Sequence, residues 1–153
     1  MFEDIEAQVL LENQNHAGIA ELIASARSAR IVVNGEGIVV TNLVFGRDFS
    51  LATHRDAVIA VLYARIESIE VLAVYDSARA KANVRLHEWV SQTLIGRMVR
   101  VRVGSADGPM GVVFDCDRDW LLIERASDST KCLVSMRSIF ALEVRAVHNQ
   151  SVL

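Results

Sequence analysis

The chain has 153 residues, 52% of them hydrophobic and 23% charged, with one proline, Pro109. That composition supplies a sizeable core and excludes a largely disordered chain. A net charge of −3 argues against a strongly basic nucleic-acid binder.

In chain order, residues 1–28 predict an N-terminal helical segment. Phe2, Ile5 and Val9 fall on one face of 2–15, and Ile19, Leu22, Ile23 and Ala26 recur at helical spacing. Short strands follow at 30–34, 37–46, 48–53, 57–64 and 67–73, giving a first unit over 29–73. Residues 74–97 form a linker, expected to be helical through 78–82, and a second helix carrying Leu86, Trp89, Val90, Leu94 and Ile95. A second unit over 98–146 holds strands at 98–103, 109–116, 119–125, 131–135 and 138–145. A polar tail, 147–153, ends the chain and is expected to fray. Turn chemistry separates the strands: Asn34-Gly35-Glu36-Gly37 in one unit and Gly104 to Gly108 in the other.

The two units read as repeats of one another. Arg47-Asp48-Phe49-Ser50-Leu51 recurs as Arg118-Asp119-Trp120-Leu121-Leu122, 71 residues later. Ile66-Glu67-Ser68-Ile69 aligns with Met136-Arg137-Ser138-Ile139 at an offset of 70, and Ile31-Val32-Val33 with Val99-Arg100-Val101 at 68. The alignment predicts equivalent core positions for Phe49 and Trp120. Alternation turns Val99, Val101 and Val103 inward and Arg100 and Arg102 outward.

A helix followed by five short, bent strands resembles the Sm-like, SH3-like small barrels. The residues carrying the resemblance are Gly111-Val112-Val113-Phe114, Asp117-Arg118-Asp119-Trp120-Leu121 and Val134-Ser135-Met136-Arg137-Ser138-Ile139, with Gly37 through Phe49 and Tyr63 through Ile69 in the first unit. The chain also looks like bacterial proteins with this tandem organisation. The resemblance implies a mainly β fold with N-terminal helices (α+β): two tandem small β-barrels, each preceded by a helix. It does not carry over a uridine pocket, because Ser50 and Leu121 stand near where that family's turn has asparagine, and neither Ala64-Arg65-Ile66 nor Ser135-Met136-Arg137 has its glycine.

No cluster points to catalysis. Asp115, Asp117 and Asp119 are spaced as in a calcium loop, but Trp120 and Ala126 occupy the positions where glycine and glutamate would be required. Cys116 and Cys132 lie 16 apart without a CxxC pair, as in a reducing cytoplasm; they could meet on adjacent strands as redox thiols, but with no activating group nearby they read as small buried apolar residues. His54-Arg55-Asp56 reads as a polar hairpin tip. The apolar run Ala57 to Tyr63 is too short to span a bilayer. The start Met1-Phe2-Glu3-Asp4 lacks the basic and apolar regions of a secretory signal. No metal, cofactor or membrane partner is expected.

The run 57–63 is apolar on both faces, where a barrel wall with one wet face should alternate. Its outer face is therefore expected to be covered, and Val58, Val61 and Tyr63 are candidates for self-association. The expected function is a non-enzymatic interaction or assembly module, either a homo-oligomer or a binder of a protein partner. The alternative is RNA or DNA binding. Residues 1–76 carry five basic and eleven acidic residues and residues 77–153 eleven basic and eight acidic, which makes Arg97, Arg100 and Arg102 the candidate nucleic-acid contacts.

Overall fold

The computed structural model describes residues 18–145, apart from 80 and 105. The helical expectation for 2–15 and the tail 147–153 lie outside the described residues. A helix over 18–25 (α1) runs directly into the first strand. Five strands follow: β1 (Ala26–Val33), β2 (Glu36–Phe45), β3 (Phe49–His54), β4 (Ala57–Leu62) and β5 (Ile66–Val74). After irregular chain comes α2 (Leu86–Thr93), then β6 (Met98–Val103), β7 (Ala106–Cys116), β8 (Trp120–Arg125), β9 (Lys131–Ser135) and β10 (Ile139–Arg145). The linker helix expected over 78–82 does not form.

The turns follow residue chemistry. Asn34 and Gly35 both take positive φ, 52° and 75°, as a two-residue hairpin turn compatible with strand twist requires. At the start of α2 the Asp48 carboxylate accepts the Leu86 N–H at 2.8 Å, and Glu88 accepts the Arg85 N–H at 3.2 Å. Those bonds satisfy donors that a helix start leaves unpaired.

The expectation of two closed barrels is overturned. All ten strands belong to one open antiparallel sheet, in the order β5-β1-β2-β3-β4-β10-β6-β7-β8-β9. Within each five-strand half, the fifth strand pairs with the first rather than with the fourth, so neither half closes on itself. Instead β4 pairs with β10 across the middle, Val61 opposite Ala141 through Ala57 opposite Arg145. Sequence alternation reads strands and faces well, but closure depends on which edges meet, and no single strand encodes that.

Two cores lie against this sheet. The first holds Ile31, Val33, Ile38, Val40 and Leu43 from β1 and β2, with Ile59 and Val61 of β4 and Phe140 and Ala141 of β10. The second holds Leu86, Trp89 and Val90 of α2, most of the buried residues of β6 to β10, and Phe49, Leu51 and Ala60 from the first half. Alternate residues of β4 thus serve different cores: Ile59 and Val61 one, Ala60 and the flanking Val58 and Leu62 the other. The unbroken apolar run 57–63 follows from that position as a shared wall.

Two sequence alignments also need correction. Trp120 is 47% exposed whereas Phe49 is 2% exposed, so they are not equivalent in burial although both open a third strand. The offset of 68 for β1 against β6 becomes 70, since Val33 opposite Glu36 and Val103 opposite Ala106 close matching hairpins. The extra residue falls not in the turn but in a register shift of the β6–β7 pair between Arg100 and Arg102. Gly108 sits in that stretch, where a Cβ would come 2.7 Å from the Val101 carbonyl oxygen.

Candidate interaction surfaces

Of the candidate self-association residues, Val61 is buried and Val58 and Tyr63 are half-buried. Val58 and Val61 pair with Val144 and Ala141 of β10. The Tyr63 hydroxyl donates to the Gly46 carbonyl at 2.8 Å, and burial, then the charge of Asp48, raises its pKa. Val58 and Val61 thus lie along the seam that joins one half to the other, while the Tyr63 bond is internal to the first half.

The edges of the sheet are a different matter. Among the described residues, β5 pairs only with β1 and β9 only with β8. Each leaves one side of its backbone unpaired, and each exposes apolar side chains: Leu133 at 63% on β9, Leu72 at 52% and Val74 at 50% on β5. An exposed strand edge with apolar residues is a template for pairing with another chain. Sequence inspection missed these edges because it placed each fourth and fifth strand inside a closed barrel.

The two halves share strand order, so each edge strand has a counterpart at the central seam. The Gly46 and Asp117 N–H groups donate to the Phe49 and Trp120 carbonyls, and the Tyr63 and Met136 N–H groups to those of Asp48 and Asp119. These bonds align β4 with β9 at an offset of 73, Phe49 facing Leu62 as Trp120 faces Ser135. Ile66 and Ile139 face Val33 and Val103, which sets β5 against β10 at 73 also, in place of the offset of 70. The seam register can therefore be transposed to the free edges. Under that transposition Leu133 would fall opposite Ile69 of a second copy, Val134 opposite Ser68, and Cys132 opposite Glu70.

The basic residues divide. Arg97 stands at the corner between α2 and β6, its N–H donating to Leu94 and its carbonyl accepting from Val113. Arg100 and Arg102 lie on the outer face of β6 as alternation predicts, exposed and half-buried respectively. They line a cleft of about 640 Å³ with Arg55, Arg145 and Glu143, away from Arg97. Arg102 is already engaged, with Glu36 at 3.0 Å and Glu143 at 3.4 Å. A larger apolar hollow of about 860 Å³ lies between α1, the β2–β3 corner and α2. The cations lining it are stacked on rings, Arg79 over Tyr75 and Lys81 over Tyr63.

No protein-family model matches this chain, and no curated protein matches it. Neither comparison shows membership of the Sm-like family.

The remaining chemistry is local. Asp117 accepts the Asp119 and Trp120 N–H groups at 2.8 and 2.7 Å, and Asp115 accepts that of Cys116. These carboxylates organise their own turn, and no group suited to a metal ion occurs among the described residues. Cys116 and Cys132 are free thiols on β7 and β9, with β8 between them rather than on adjacent strands. Burial, then the charges of Asp117 and Asp115, pushes the Cys116 thiol up to about 12. No described helix is long and apolar enough to cross a membrane.

Proposed function

We propose that this protein is a non-enzymatic assembly module that joins copies of itself head to tail, β9 of one copy against β5 of the next. The observation carrying this reading is the β4–β10 register, because the chain already makes the same kind of junction internally. Transposed to the edges, that register places Leu133 beside Ile69, which already packs against the first core. Its counterpart at the seam, Ala60, is fully buried, so pairing would cover the most exposed large apolar side chain described. Charge agrees with the direction. The acidic first half supplies the β5 edge and the net basic second half supplies β9, an arrangement that favours unlike ends.

Such a contact uses two different surfaces, so it generates a closed ring or an open filament according to the rotation per copy. The free thiols fit a reducing cytoplasm. Light scattering at tens of micromolar tests the reading. The wild type is expected as a defined oligomer and Leu133→Lys as a folded monomer, since a charged edge residue blocks pairing. A monomeric wild type would refute self-assembly.

A further inference from the structure

We propose that the cleft over strands β4, β10 and β6 binds a phosphate-bearing small molecule. Register builds the site. Glu143 lies opposite Arg100, and Arg145 opposite Ala57. Alternate positions 100 and 102 on β6, and 143 and 145 on β10, therefore share one face while Val99, Val101 and Val144 point into the second core. The β3–β4 hairpin contributes Arg55 from its tip, where φ is 55°. Beside it, His54 Nδ1 lies 3.0 Å from the Val39 carbonyl oxygen, where it donates its hydrogen.

The charge in this cleft is unevenly matched. Arg102 holds both Glu36 and Glu143, which leaves Asp56 as the only other lining carboxylate. Arg55, Arg100 and Arg145 make no ion pair among the described residues. Three arginines lining one partly open hollow, with Ala57 and Ile59 in its wall, supply planar donor groups of the kind that match phosphate oxygens.

Size and surroundings favour a compact ligand over a polymer. The volume of about 640 Å³ falls within the usual range for small-molecule sites. Glu36, Asp56 and Glu143 in the lining disfavour an extended polyanion. The site also belongs to each copy alone: at the edges, Leu72 and Thr130 would stand where Arg145 and Ala57 stand at the seam. Its failure would leave the assembly reading untouched.

Calorimetry with inorganic phosphate, adenosine 5′-monophosphate and a single strand of about ten nucleotides tests this. The monophosphate is expected to bind saturably, one per chain. Arg100→Gln with Arg145→Gln should weaken it about tenfold or more, since each lost charge-assisted bond is costly. Both residues are exposed, so the melting temperature of the unliganded variant should not change; Arg100→Lys should retain part of the affinity if the cation matters. No saturation below about 10 mM, or equal affinity in the double variant, would overturn the proposal. So would binding of the oligonucleotide alone with a log–log salt slope near −2, which signals phosphodiester contacts.

Discussion

Aromatic residues that look interchangeable in the sequence carry very different loads. Phe49 lies between α2 and the sheet, its ring centroid 5.7 Å from that of Trp89, and both are buried. Phe49→Ala is expected to cost about 3–5 kcal/mol, the usual loss for a large buried ring. Trp120→Ala should cost much less, and urea denaturation of the two variants compares them directly. The thiols divide in the same way. Cys132 should react with a disulfide reagent at pH 8 while Cys116, buried and with its pKa near 12, should not react until the protein unfolds. The sign of the linked stability follows. The folded thiol loses its proton at higher pH than the unfolded one, whose ordinary value is 9.0. Its contribution is complete below pH 9 and declines as pH rises from 9 towards 12. Cys116→Ala should therefore lose less stability over that interval than the wild type, as measured by denaturation at each pH.

At the scale of single elements the sequence is highly readable. All ten strands occur within a few residues of where alternation and turn residues put them, because each half-buried strand writes its own period. Less legible was what covers a strand. The run Ala57 to Tyr63 announces two buried faces but does not name the cover, which proves to be a core on each side and β10 along one edge. The lysine substitutions tell these faces apart. Val61→Lys places a charge in the first core and should prevent folding. Val58→Lys, at a half-buried site beside the second core, should be destabilising but tolerated. Far-UV circular dichroism with thermal melts distinguishes these outcomes. The arginines show the same limit. Alternation put Arg100 and Arg102 outward correctly, yet only strand order reveals that Arg145 and Arg55 join them and that Arg97 does not.

For the whole molecule, strand order carries the argument that sequence alone could not. A chain that joins its two halves through β4 and β10 leaves β5 and β9 each with one edge unpaired among the described residues, and these are the strands whose counterparts made the join. The single substitution Glu70→Cys tests that directly, because the transposed register sets residue 70 of one copy opposite native Cys132 of the next. Facing residues of an antiparallel pair have Cα atoms about 4.5–5.5 Å apart, within the range a disulfide spans. Mild oxidation of Glu70→Cys should produce covalent dimers and higher multiples on a non-reducing gel, abolished when Cys132→Ser is added. A Glu70→Cys protein that stays a single uncrosslinked chain under oxidation, with the thiols at 70 and 132 still titratable, would contradict edge-to-edge assembly in this register.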